Sequence, residues 1–400
     1  MLEQPVFGRR LRQLRTERGL TLAALAGEGM STGYLSRLES GARQPTERAI
    51  AHLAAQLGIS PAELTQSTTT SLAQSLTLAT GLSQDEVGQT LSQALKVSGG
   101  EDPLLRWQAL WQVAEWHQWR QEYPEQRAHL DELVTLSEQI GLPELQSRAL
   151  AALSRCMRST GEIAGAVDVA ARAHELARRE ALPARVQTST LLALVSALAE
   201  AGRLPDAARH ADELLTVASE VSGALWAQAV WTVANVRVRQ GDRDTGAELM
   251  NQAIDGFDGR DDLIIWMRLR LGAARLDLLA VPPRTESARQ RVQEVQAALP
   301  FAASTAIEQQ LLAVRARIAV LTGDLDEART VLDRLIGFDD LLTYQERTRL
   351  DVLRNRVLLL EGEKDTALDG LRTLAEQAQQ NGNMDLAAEI WRLVAESLAQ

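Results

Sequence analysis

Six times along this chain a helix-breaking residue is followed, five positions later, by a small one. The pairs are Gly161 with Ala166, Gly202 with Ala207, Gly241 with Gly246, Pro283 with Ala288, Gly323 with Ala328, and Gly362 with Ala367. The breakers recur at spacings of 41, 39, 42, 40 and 39 residues. A period of that length constrains the fold more than any other feature. Each unit is one helical hairpin that can bury its apolar face only against its neighbours, so the units stack into an α-solenoid. The breaker ends the first helix of a pair, and the small residue lets the second close tightly. Composition points the same way: aromatics are only 4% of the residues, and Leu, Ala, Arg, Glu and Gln dominate, which leaves little to build strands from. An all-α chain is expected. Residues 101–400 are assigned to the array. A first unit around Trp107 to Ile140 lacks the glycine and Met384 to Leu398 reads as a single capping helix, giving about seven hairpins and a cap.

The segment Gly323-Asp324-Leu325-Asp326-Glu327-Ala328 is the cleanest copy of the turn, and on it the units resemble tetratricopeptide repeats. The period here is longer than that family's 34 residues, so each helix gains most of a turn.

Residues 1–65 follow a different pattern. Apolar positions fall into clusters, Leu11 and Leu14, then Leu22, Leu25 and Ala26, then Leu35 and Leu38, then Ile50, Leu53, Ala54 and Leu57. Spacings of three and four predict four short helices, with a further turn opening at Pro61. Gly19 ends the first, Thr21 caps the second, Ser31 caps the third and Gly41 stops it, and Pro45 with Thr46 opens the fourth. Arg15, Gly19-Leu20-Thr21, Leu35-Ser36-Arg37-Leu38-Glu39-Ser40-Gly41, Pro45 and Leu57-Gly58-Ile59-Ser60 stand at consistent spacing. On these residues the stretch from Phe7 to Leu64 resembles the Cro/C1-type (XRE) helix-turn-helix family.

The resemblance implies binding to double-stranded DNA, with the third helix, about Ser31 to Ser40, in the major groove. Thr32, Gly33 and Arg37 then face bases, and Arg37 is the candidate for a bidentate contact to guanine. Ser31, Arg43 and Gln44 are placed to hold phosphates. Arg15 and Glu39 correspond to an internal ion pair, and Tyr34 and Leu38 to core. Two features depart from the family: Leu22 replaces the usual Gln, which removes one phosphate contact, and the turn between Ala26 and Ser36 is shortened. One head covers a half-site, so a homodimer on an inverted-repeat operator is expected.

The net charge of −11 looks unsuited to DNA until it is divided. Residues 1–65 hold eight Arg against six Glu, a net of +2, leaving −13 for the remainder. An acidic body with a basic head approaches the phosphate backbone head first. Between them, residues 66–100 read as linker and connecting helices: a Ser/Thr run, two weak helices over 71–97, then Gly99-Gly100.

Little in the chain suggests catalysis. His52, His117, His129, His174 and His210 are scattered, no HExxH, CxxC or phosphate-cradling loop is present, and His174-Glu175 lacks the second His that a zinc site needs. No enzyme activity, cofactor or metal is expected. Cys156 stands alone, so no internal disulfide can form and a buried apolar role is expected. With no apolar signal core and no spanning stretch, a cytoplasmic protein without membrane contact is expected. Trp107, Trp111, Trp116 and Trp119 crowd the first hairpin, as packing or as an aromatic shelf.

Two rows of side chains recur in register with the breakers. Eight residues before them stand Arg275, Arg315 and Arg354, and six before stand Arg155, Ser196, Asn235, Asp277, Arg317 and Arg356. Positions two apart on a helix lie ~200° apart, so only one row can face the groove. The resembling repeats line their concave face with the second row, and regulators built on them often hold a peptide backbone there through Asn. Trp231, Asn235, Arg317 and Arg356 are therefore the candidate effector-binding residues. Two functions stay open: a regulator whose repeats sense a peptide, small molecule or protein partner, and an interaction scaffold tethered to DNA by its head.

Overall fold

The computed structural model describes residues 4, 6–61, 64, 72–97, 102–302, 304–336 and 342–399. The Ser/Thr run and the Gly99-Gly100 break lie outside them. Every regular element among the described residues is a helix, and the chain divides into two compact units, residues 1–109 and 110–400.

The first unit opens with α1 (Val6–Glu17), α2 (Leu22–Ala26), a 3-10 turn (Gly27–Gly29), α3 (Thr32–Glu39) and α4 (Glu47–Leu57). The caps fall on the expected side chains. Thr21 accepts from the Ala24 amide at 3.1 Å, Ser31 from Tyr34 at 3.2 Å and Thr46 from Ala49 at 3.2 Å. Each satisfies an amide that the helix start leaves without a partner. Phe7, Leu11, Leu14, Leu25, Leu35, Leu38, Ile50, Leu53 and Leu57 form the core. At Gly8 the α3 carbonyls of Leu38 and Glu39 come so near that a Cβ has no room, so α1 lies close against α3. The shortened turn is closed by His52, whose Nε2 sits 2.8 Å from the Ala26 carbonyl. Two more helices, α5 (Leu72–Leu78) and α6 (Gln84–Val97), follow.

Seven hairpins run through the rest: α7 (Pro103–Trp119) with α8 (Tyr123–Ile140), α9 (Pro143–Thr160) with α10 (Ile163–Arg179), α11 (Ala184–Glu200) with α12 (Leu204–Ala218), α13 (Gly223–Arg239) with α14 (Arg243–Asp255), α15 (Leu263–Leu279) with α16 (Thr285–Ala298), α17 (Thr305–Thr322) with α18 (Leu325–Ile336), and α19 (Tyr344–Glu361) with α20 (Lys364–Gln380). The last helix, α21 (Met384–Leu398), closes the array. The periodic small residues do the work that the spacing assigns them. Ala166, Ala207, Ala288, Ala328 and Ala367 are fully buried, and at Gly246 the Val238 side chain occupies the place of a Cβ. Gly161, Gly202, Gly241, Gly323 and Gly362 all have positive φ, between 72° and 92°, which a glycine adopts at little steric cost.

The second unit winds far enough for its end to meet its beginning. Helix α9 touches α19, and α11 touches α21. Buried Gln121 donates to Gln309 at 3.0 Å, and Arg239 pairs with Asp385 at 2.6 Å. The first helices of the later hairpins thereby enclose a cavity. Cys156 is buried, and its thiol pKa is pushed up to about 12 by desolvation, so it carries no reactive thiolate. The four tryptophans share no single shelf: Trp107 is buried, Trp119 is exposed, and the Trp111 and Trp116 rings lie against Arg148 and Arg120. No described helix is long and apolar enough to cross a membrane.

Candidate functional site

Helix α3 carries two kinds of side chain. Leu35 and Leu38 are fully buried and Tyr34 packs against the same core, whereas Thr32, Gly33, Ser36 and Arg37 are exposed. The Arg37 side chain makes no hydrogen bond or ion pair with a described residue, so its guanidinium is free to reach a base edge. Ser31 sits at the N-cap, its oxygen on the Tyr34 amide and its hydroxyl proton still available. Arg43 and Gln44 are exposed just beyond the helix, Arg43 over the Tyr34 ring at 5.0 Å from its centroid. The scaffold beneath is held by Arg15. Its Nε and Nη2 donate to the two Glu39 oxygens at 2.7 and 2.9 Å, and Nη1 to the Leu20 carbonyl at 3.0 Å. The Glu39 bond raises the Arg15 pKa, and both side chains are largely buried.

In the second unit a cavity of about 320 Å³ opens between α13, α15, α17, α19 and α21. Leu271, Ala313, Val314, Leu350 and Leu353 supply apolar wall. Six arginines line it, Arg268, Arg275, Arg317, Arg349, Arg356 and Arg392, against three glutamates, Glu346, Glu389 and Glu396. Arg349 lies 4.0 Å from Glu389, while Arg268, Arg275, Arg317 and Arg356 form no ion pair with a described residue. Arg275 opens to the cavity's solvent, yet the surrounding helices desolvate it and Arg349 and Arg317 repel it, so its pKa falls to about 10. Desolvation also lowers Arg317 and Arg356. All stay cationic at neutral pH, crowded and poorly solvated. Four donors with no partner among the described residues, Trp231 Nε1, Arg268 Nε, Gln309 Nε2 and Arg317 Nε, belong to the same lining. Buried donors are nearly always paired, so the site suits an acceptor-rich anion.

Residues 6–66 match a protein-family model described as a helix-turn-helix domain. The head is a helix-turn-helix domain. Among solved structures, the whole chain is similar to the Rap conjugation gene regulator of plasmid pLS20 in complex with the Phr* peptide. The TM-score is 0.55 at 11% identity, over 94% of this chain and 96% of that one. It is similar, too, to a Rap protein complexed with competence and sporulation factor, with a TM-score of 0.54 at 11% identity over 98% of both chains. A third likeness is to NprR in complex with its cognate peptide NprX, 0.50 at 12%, over 89% and 99%. At these identities the likeness is one of fold and matches a helical-repeat solenoid. No sequence among the curated proteins matches the chain.

In the hairpin array, the two rows of arginines separate as the helical angle requires. Arg315 pairs with Glu327, and Arg354 with Asp351 at 2.6 Å, whereas Arg317 and Arg356 line the cavity with Trp231. Asn235 is absent from the lining. Its amide is turned back along α13 and donates to the Trp231 carbonyl at 3.0 Å.

One row assignment needs correcting. Five residues, 280–284, join α15 to α16, where the other glycine-marked hairpins use two or three. Counting six back from Pro283 therefore falls two positions short. Arg275, not Asp277, is the equivalent of Arg317 and Arg356, while Asp277 accepts from Ser287 at 2.7 Å and pairs with Arg291 at 3.1 Å.

A second tier shares this face. Arg268, Gln310 and Arg349 each stand seven residues before Arg275, Arg317 and Arg356 and line the same cavity. Two helical turns put such pairs on one face, and that spacing was visible in the sequence.

Proposed function

We propose that this protein is a sequence-specific DNA-binding transcriptional regulator whose hairpin array binds an anionic peptide segment and so modulates operator binding. The observation that carries it is the row Arg275, Arg317 and Arg356, unpaired in a cavity with four unpaired donors. Guanidinium forks match carboxylates bidentately, and unpaired N–H groups suit the carbonyls of an extended chain. The named complexes of the Phr* and NprX peptides with proteins of similar fold support a peptide over other anions. A small carboxylate or phosphate ligand is the second choice. A folded protein partner does not fit in about 320 Å³, so a scaffold role would need another surface. On DNA, Arg37 reads a base while Ser31, Arg43 and Gln44 hold phosphates, in a cytoplasmic homodimer bound to an inverted repeat.

The test is thermal shift of the full chain with two libraries of short peptides, one acidic with free C-termini and one neutral with amidated ends. Acidic peptides should stabilise the wild type and change its affinity for DNA, and both effects should vanish in the Arg317→Glu/Arg356→Glu variant, which folds and binds DNA as before. Equal responses to both libraries, or an unchanged response in the variant, would exclude this site.

A further inference from the structure

The second helices of the second and third hairpins bring together three side chains that lie far apart in sequence. His174 comes from α10, and His210 and Glu213 from α12, where a spacing of three places both on one face. His174 Nε2 lies 3.6 Å from Glu213 Oε1, and His210 Nδ1 lies 3.2 Å from Glu213 Oε2. The two imidazole rings meet edge to face, with centroids 5.5 Å apart. One ligand atom from each of the three residues falls within 4.8 Å of the other two. Around a tetrahedral zinc ion with bonds of roughly 2.0–2.2 Å, ligand atoms sit about 3.4 Å from one another. The cluster is therefore within small side-chain rotations of a coordination shell.

We propose that His174, His210 and Glu213 bind a divalent transition-metal ion of the zinc class, clamping two successive hairpins together. Two imidazoles and a carboxylate are a ligand set suited to zinc, with water in the fourth position. The His174 side chain is about nine-tenths buried, and its Nδ1 has no partner among the described residues. Arg178, the cation that bears on His174, is already held by Glu175 at 2.9 Å. The proposal is independent of the arginine-lined cavity, since no residue is shared.

The test uses the full chain stripped of metal. Titration with Co²⁺ should give one saturable equivalent with the intense visible absorption of a tetrahedral site, and Zn²⁺ should displace it. Zinc should raise the thermal midpoint of the wild type. His210→Ala and Glu213→Gln, at half-exposed positions where folding is preserved, should each weaken binding by more than an order of magnitude and remove the zinc-dependent shift. His117 and His129 stack on each other elsewhere, at 5.3 Å between centroids, so binding that survives in both variants with unchanged affinity overturns the proposal. So does a wild type that gives only weak, octahedral cobalt absorption.

Discussion

The head and the hairpin array handle charge in opposite ways. In the head, the bidentate Arg15–Glu39 pair holds α1 on α3, and the unpaired cation Arg37 points outward from a short helix. In the array, Arg315 and Arg354 off the cavity are paired, whereas Arg268, Arg275, Arg317 and Arg356 line the cavity with no ion pair to a described residue. Net charge foretells only the first arrangement. A head of +2 suits a polyanion, but a remainder of −13 gives no hint of a cavity lined by six arginines and three glutamates. Where a ligand is long and outside, the summed field matters; where it is enclosed, the pairing of each individual side chain decides.

The largest effect that tests this contrast is expected at Arg15. Arg15→Ala leaves Glu39, whose side chain is 8% exposed, without its bidentate partner and should cost the head about 3 kcal/mol. That is a large share of what a domain of this size can hold. Because the chain divides into two compact units, calorimetry should show the head's transition fall while the array's stays in place, and DNA binding should weaken accordingly. A single transition that moves as a whole would break the comparison, because head and array would then share one cooperative fold.

An effect of intermediate size separates the two kinds of DNA contact. Arg37→Ala should lose about 1–3 kcal/mol of preference at one operator position. Arg43→Ala should weaken binding to all sequences about equally and reduce its salt dependence. Arg37→Ala should leave the head's melting unchanged, and Arg43→Ala should lower it only slightly, through loss of the contact with the Tyr34 ring. Binding-site selection on randomised DNA measures both, and an unchanged base preference in Arg37→Ala would move the reading role to another residue of α3.

What could be read from the sequence follows from how local each determinant is. The head's caps, Thr21, Ser31 and Thr46, act within three residues, so their spacing alone locates α2, α3 and α4. The period of the array is equally plain, because a helix breaker and a small residue five positions apart mark six of the turns. The six-residue register leads to Arg317 and Arg356, which line the cavity, but not across Pro283, where a longer connection moves it by two, and it cannot show that Asn235 hydrogen-bonds its own helix. The His174, His210 and Glu213 cluster was illegible for a different reason. Its members occupy unequal positions in successive hairpins, so no fixed spacing announces them, and only the stacking of α10 and α12 makes them neighbours.

The smallest expected effect is at Gly33, and there stability and function should move in opposite directions. A glycine inside a helix costs roughly 0.5–1 kcal/mol relative to alanine, and proteins keep one where something must approach the backbone. Inside this protein nothing does: a Cβ at Gly33 meets no atom within 4 Å, unlike Gly8, where α3 leaves no room for one. The residue lies in the first turn of the exposed face of α3, four positions before Arg37, where the floor of the major groove would come nearest. Gly33→Ala should accordingly raise the head's stability by about 0.5 kcal/mol while weakening operator binding several-fold. Denaturant titration and fluorescence anisotropy on the same preparation measure the two quantities. If alanine stabilises the head and leaves affinity untouched, the duplex does not approach α3 at this point, and the helix must enter the groove at a different angle.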